Sequence, residues 1–302
     1  MTKKKRNQYL IFVLIFLLAA IGSFFFFKIL NETGMELSWA PKLEGKTEKI
    51  IGIAGMVPML FVILGIHELG HLITGLYQGF QFQLFIVGPL GIKREDDRVK
   101  VYLNRSMAMF GGVAATSPTN TDDDNARKFA YILLGGPLTS LIAGILMIGL
   151  AGLMTGVPAF WGLTGGAMSI AIFFATTIPS KTGMFFTDRK RYQRLIIPGP
   201  DQDVELALLR IMGQYSKKQS YKDLSPEDIA LVTADSHDFI KMTGLLYQLC
   251  RELETEKSIS EASQTQYNEV AAGMSAAIQK AFEGEINRMK QLHESPELTE
   301  SP

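Results

Sequence analysis

The sequence predicts an α-helical polytopic membrane protein of about four spans, with a short β-hairpin and a C-terminal soluble all-α domain. Three observations carry this. The 302 residues are 47% hydrophobic and only 20% charged, with a mean hydropathy of +0.15, and length alone would allow one large domain or two ordinary ones. The apolar residues fall in long uncharged runs. The formal net charge of zero hides a split: residues 1–195 hold 20 Lys/Arg against 12 Asp/Glu, and residues 196–302 hold 10 against 18. The runs exclude a disordered chain. A single cysteine, Cys250, excludes a disulfide scaffold. The basic residues flank apolar runs and form no aromatic-interleaved patch, so no nucleic-acid partner is expected.

Residues 9–27 form the first expected span, preceded by Lys3, Lys4, Lys5 and Arg6 and free of charge from there to Lys28; about 20 apolar residues cross a core of ~30 Å. A signal peptide starts in the same way, but bulky Phe24 to Phe27 stand where a small-residue cleavage site is needed, so the span is read as uncleaved. The second, 50–76, is one long helix that acquires polar residues in its later turns. Residues 129–180 carry no charge, too long for one span, and Gly156, Val157 and Pro158 mark a turn. The third and fourth spans are therefore placed at 129–152 and 159–180. Lys93, Arg94, Arg98, Lys100, Arg105, Arg127, Lys128, Lys181 and Arg189 share a side with Lys3 to Arg6, while residues 28–49 balance four Lys with four Glu. The positive-inside rule then puts a multi-pass chain in the cell membrane with both termini cytoplasmic.

Between spans two and three, Phe80, Phe82, Leu84 and Ile86 alternate with Gln81 and Gln83, a strand period. Gly88-Pro89-Leu90-Gly91 turns the chain, and 99–103 offers a second strand. This is either an ordinary cytoplasmic hairpin or one that dips into the bilayer, where irregular backbone is tolerated only beside protein or a wet cavity.

The chemistry lies in His67-Glu68-Leu69-Gly70-His71. Two histidines four apart share a helix face and can hold one Zn²⁺, with Glu68 beside it as a base. By residue frequencies the motif arises by chance in such a chain on the order of 1% of the time. Ionisable groups abutting a membrane helix default to functional readings. Zinc needs a third protein ligand and an open position. His237 and His293 read as surface or helix-end residues of the acidic tail, and Asp122 to Asp124 as a solvated loop run. Asp188 follows span four closely, among apolar residues, at the end of the bundle where the His pair lies.

In this order the pieces resemble the site-2 protease family of intramembrane zinc metalloproteases. Ile66 through His71 resembles its zinc helix; 80–112, ending in Phe110-Gly111-Gly112, its membrane-associated β-hairpin and glycine pair; Gly135-Gly136-Pro137-Leu138 its Gly-Pro motif; and Pro179 through Asp188 the segment supplying its third ligand. The likeness covers about 50–195. It implies His67, His71 and Asp188 as zinc ligands, Glu68 as the catalytic residue, and a membrane-anchored protein substrate cut within or next to its transmembrane segment. Arg189, Thr176 and Ser140 depart from the family pattern, standing where Gly, Asn and Asn are usual. The competing class is a catalytically degenerate membrane scaffold or adaptor of the same fold.

On this reading residues 1–195 are the transmembrane metalloprotease core and 196–302 a cytosolic acidic helical domain, open to a protein partner. Helices are expected over 203–215, from Ser225-Pro226 onward, over 239–253 and over 261–292. Cys250 is expected as a reduced, buried thiol.

Overall fold

The computed structural model describes residues 41–95, 98–106, 109–182 and 185–294. The expected span at 9–27 lies outside them. Three helical stretches in the described residues are long and apolar enough to cross a membrane: Gly45–Tyr77, Asn125–Ala151 and Gly156–Thr177. The chain is a membrane protein.

The first stretch is two helices, α1 (Gly45–Ala54) and α2 (Met56–Tyr77). They meet at Gly55, where a Cβ would lie 2.3 Å from the Trp161 ring, and the Trp161 indole N–H donates to the Gly52 carbonyl at 3.0 Å. Helices α3 (Asn125–Ala151) and α4 (Gly156–Thr177) pair tightly. Gly144 and Gly166 let their backbones approach, each glycine's missing Cβ being filled by an isoleucine of the other helix or by its carbonyl. This is how membrane helices associate when lipid offers no hydrophobic gain. The Ser169 hydroxyl adds a bond to the Ser140 carbonyl at 2.7 Å. Outward positions such as Ile53, Ile73, Ile142 and Leu146 are exposed and apolar, as contact with hydrocarbon requires.

The expected hairpin is part of a larger sheet. Strands β1 (Gln81–Val87), β2 (Leu90–Glu95), β3 (Arg98–Leu103) and β4 (Val113–Ser117) form one antiparallel sheet in the order β3-β2-β1-β4. The partner across the Gly88 turn is β2, not 99–103, which pairs one strand further out. Gly88 sits at φ +54, the left-handed conformation a two-residue turn demands. Strand β4 was not legible: Val-Ala-Ala-Thr-Ser is too poor in large side chains to look like a strand. It pairs with β1 through a bulge at Gln83 and lies against α2, where the missing Cβ of Gly75 makes room for Thr116.

After span four, β5 (Lys181–Thr182) and β6 (Phe185–Phe186) make a minimal hairpin leading into α5 (Asp188–Ile196). Five helices follow: α6 (Pro200–Lys218), α7 (Pro226–Thr233), α8 (Asp238–Glu256), α9 (Glu261–Ala271) and α10 (Ala276–Glu294). The single helix expected over 261–292 is two. It breaks at 272–275, where buried Met274 turns into the core and the Gln279 side-chain amide donates to the Ala271 carbonyl, closing off the end of α9. The core of these helices runs from Val204 through Leu245 and Leu249 to Met289 and encloses Cys250, whose thiol burial pushes above its ordinary value. A second cluster, Phe80, Phe129, Ile132, Leu133, Leu195 and Leu209, joins α3, α5 and α6 to the start of the sheet.

Ser225 accepts from the Asp228 N–H at 3.1 Å, with Pro226 in the first turn. Ser225→Ala is expected to lower stability by about 1 kcal/mol, read as a reduced Tm of the purified protein with the same helical content.

Candidate metal centre

Helix α2 carries His67 and His71 one turn apart and both buried, 4% and 9% exposed. Their Nε2 atoms face each other at 3.3 Å. The Asp188 carboxylate, at the first residue of α5, closes the triangle. Its Oδ2 is 3.2 Å from His67 Nε2 and its Oδ1 is 3.3 Å from His71 Nε2. The expected donor set is therefore assembled from two elements more than a hundred residues apart in sequence.

The outer nitrogens fix what the inner ones present. His71 Nδ1 donates to the Ile132 carbonyl at 2.7 Å. A carbonyl only accepts, so in the neutral ring Nε2 carries the lone pair. His67 Nδ1 meets the Ser140 hydroxyl at 2.9 Å, which accepts from it when His67 takes the same tautomer. Two lone pairs and a carboxylate then converge with no proton between them, and Asp188 Oδ2 is a buried oxygen without a hydrogen bond. Such a cluster repels itself unless a cation sits inside it. Ligands about 2.0–2.1 Å from a tetrahedral Zn²⁺ lie about 3.3–3.4 Å from one another. The His–His separation and the distance from each histidine to its nearer Asp188 oxygen match that spacing, and a set of two imidazoles and one carboxylate suits zinc. The His67, His71 and Asp188 cluster is typical of a zinc site.

The glycine motifs explain the approach of the helices. A Cβ on Gly70 would lie 2.5 Å from the Gly135 carbonyl, and one on Gly135 2.4 Å from Thr74 Oγ1. Only bare backbone permits α2 and α3 to touch here. At Gly136 a Cβ would be 2.2 Å from His71 Nε2 itself. Pro137 has no N–H for the Leu133 carbonyl, so the ladder of α3 loses a rung one residue beyond Ile132, whose carbonyl holds His71. Glu68, 9% exposed, stands beside the cluster. Gly112, at φ +99, lies against its carboxylate, where a Cβ would be 2.7 Å from Oε1. Thus the glycine that ends the hairpin region packs on the residue next to the candidate metal donors. A small cavity of about 130 Å³, lined by Leu133, Leu134, Pro137, Thr177, Asp188 and Arg189, touches the cluster at Asp188 alone.

The model of peptidase family M50 matches residues 55–295, most of the chain. The chain belongs to peptidase family M50, the site-2 protease family. The match takes in the C-terminal helices as well as the stretch 50–195 on which the resemblance was first seen. Comparison with curated proteins and with solved structures finds no match. The chain is thus an M50 metallopeptidase, and its family implies protein substrates.

The other sequence candidates fall elsewhere in this M50 peptidase. His237 is the helix-end residue expected, at the start of α8, but it is buried rather than on the surface, its ring tilted against Phe186 with centroids 4.3 Å apart and neither ring nitrogen bonded. Burial, reinforced by Lys181, lowers its pKa from the ordinary value. His293 lies on α10. Asp122 and Asp124 are loop groups near the start of α3, where Asp124 pairs with Arg127 and Lys128. Of the departures, Thr176 bonds back to the Phe173 carbonyl of its own helix, and Ser140 takes up a position on His67. Ile132 was not foreseen, because its part is played by a backbone carbonyl that no side-chain pattern signals.

Removing an outer partner of a metal-ligating histidine typically costs 10–100-fold in metal affinity or activity. Ser140→Ala is accordingly expected to weaken zinc binding about 10–100-fold with the helix packing retained, measured by competition with a chromogenic chelator.

Proposed function

We propose that this M50 peptidase is a zinc endopeptidase that cleaves membrane-anchored proteins within or next to their transmembrane segment. The observation that carries the reading is the convergence of His67, His71 and Asp188 at 3.2–3.3 Å beside Glu68, with the two histidines and Glu68 on a helical stretch long enough to cross a bilayer. In this proposal His67, His71 and Asp188 hold Zn²⁺. Zinc, when bound, makes a nucleophilic water available near neutral pH and polarises a carbonyl. The Glu68 carboxylate takes a proton from water and returns it to the leaving amide nitrogen. Gly112 leaves room for that carboxylate, and Ser140 and the Ile132 carbonyl hold the two imidazoles in the tautomer that presents Nε2. Burial of His67, Glu68 and His71 limits water at the site, which strengthens every charge interaction there.

The wider arrangement follows. Residues 1–195 form the membrane core and 196–302 a cytosolic helical domain available to a protein partner, with both termini cytoplasmic. The outer strand of the sheet exposes Val99, Val101 and Leu103 on one face, which supports a hairpin lying against lipid. The test is reconstitution of purified peptidase in liposomes with a single-span substrate, with the cut located by mass spectrometry. Cleavage in or beside the span, stopped by a chelator and restored by zinc, is expected. Cleavage only in a water-exposed segment well away from the span would overturn the intramembrane reading.

A further inference from the structure

The helix that begins with Asp188 is nine residues long, too short to hold its own shape or position. Its place is set by what it touches. Asp188, Arg191 and Leu195 fall along one face of α5, spaced three and seven residues apart, and Leu195 is buried in the cluster with Phe129 and Ile132. The far end of the helix is anchored by Arg194, whose side chain is 3% exposed. Each of its three guanidinium nitrogens meets a different carboxylate: Nε donates to Glu205 at 3.0 Å, Nη1 to Asp201 at 2.7 Å and Nη2 to Asp235. Glu205 is 1% exposed and also accepts from Arg191 at 3.4 Å. Lys190 reaches Asp201 at 3.9 Å. Three cations of α5 therefore balance three carboxylates of the C-terminal helices, two from α6 and one from the turn after α7. Arg194 also lies over the Phe186 ring at 4.8 Å, so it grips the hairpin that precedes Asp188.

We infer that Arg194 is a positioning residue for Asp188, and that through Glu205 and Asp235 the C-terminal helices complete the metal centre. This rests on the metal-centre reading above. A guanidinium fork fixes direction as well as charge, and a two-turn helix clamped at one end by that fork presents its first residue in one orientation. The acidic excess of residues 196–302 finds part of its purpose here, against the basic stretch 189–194.

The test uses the full-length protein in detergent and Co²⁺ as a coloured probe of the site, read by its visible absorption. Arg194→Met is expected to weaken Co²⁺ binding about 10–100-fold, the range for an outer-shell residue, and Arg194→Lys to recover part of the loss. Combined with Asp188→Asn, Arg194→Met should add little, because both act through one carboxylate. Arg194→Met takes the cation from buried Asp235 and leaves Glu205 with Arg191 alone, which is strongly destabilising. Where that protein is not monodisperse, Arg194→Met with Glu205→Gln and Asp235→Asn strands neither and is expected to give the same loss. Wild-type Co²⁺ affinity and spectrum in these variants, or an undiminished loss in the Asp188→Asn background, would overturn the inference and leave the metal centre intact. If the wild type bound no Co²⁺ or Zn²⁺, or bound it equally after His67→Ala, the metal-centre reading itself would fall.

Discussion

Replacing Glu68 by Gln is expected to keep one zinc per chain and to lower peptide hydrolysis by about 10²–10⁴-fold, the usual contribution of a positioned acid–base group. The change is nearly isosteric, and that matters at this position. The carboxylate is packed against Gly112 with no space for a larger group, so an amide of the same shape fits where Glu68→Leu would not test the same thing. None of the three converging metal donors belongs to Glu68, so metal content should not follow its charge. An amide cannot accept the proton that hydrolysis must move, so the rate falls while the site stays assembled. Burying a carboxylate opposes folding more than burying an amide does. The variant should therefore melt at or above the wild-type temperature, as is common when a functional charge is removed. Metal content by elemental analysis, Tm and cleavage of a single-span substrate are the three measurements. A variant that loses zinc and melts several degrees lower would make Glu68 a structural residue; one that cleaves at the wild-type rate would remove it from the reaction.

How far the site could be read in advance depends on which atoms carry it. His67 and His71 were legible because helical spacing alone puts i and i+4 on one face. Asp188 was legible only in part: its nearness to span four pointed to the right end of the bundle, but Arg189 and Arg191, one and three residues on, offer a carboxylate nearer partners in sequence than the histidines do. The structure decides between them through tertiary contacts, since Arg191 turns to Glu205 and to the Phe129 ring and leaves Asp188 facing the histidines. The Ile132 carbonyl and the missing Cβ of Gly136 have no signature at all, being backbone features of a helix whose side chains read simply as apolar. The membrane helices were legible because length and apolarity are properties of a single segment. Strand β4 was not, because its pairing with β1 and its seat on Gly75 are non-local, and small side chains give no alternation to detect. The break at 272–275 was missed for a related reason: periodicity continues through it, and only the burial of Met274 requires the turn.

Charge separation has a parallel explanation. The excess of basic residues in 1–195, from which the positive-inside expectation was drawn, also supplies Lys190, Arg191 and Arg194 to the acidic helices that follow. That composition pattern thus serves assembly. In the middle of the chain, by contrast, assembly rests on glycine, and that makes a sharp prediction possible.

Gly136→Ala and Gly149→Ala are the same substitution in the same helix, α3, and should have opposite results. In a helix interior, alanine is favoured over glycine by roughly 0.5–1 kcal/mol through backbone entropy. At Gly149 nothing lies within 4 Å of the added methyl, so that preference is expressed in full and Tm should rise or hold. At Gly136 the methyl would stand 2.2 Å from His71 Nε2 and 2.6 Å from its Cδ2, far inside van der Waals contact. Relief could come from moving the ring or from parting the helices. The ring is tied at Nδ1 to the Ile132 carbonyl on the same helix as the methyl, so swinging it away breaks that bond and leaves the buried Nδ1–H without its acceptor. Parting α2 from α3 is resisted because Gly70 and Gly135, the residues just before His71 and Gly136, bring the two backbones into direct contact. Either route withdraws a donor atom from the cluster, which should cost more than the 10–100-fold in metal affinity that follows loss of an outer partner. Zinc titration of the two variants side by side decides the matter. Wild-type zinc affinity in Gly136→Ala would mean that His71 Nε2 does not point where the metal is bound.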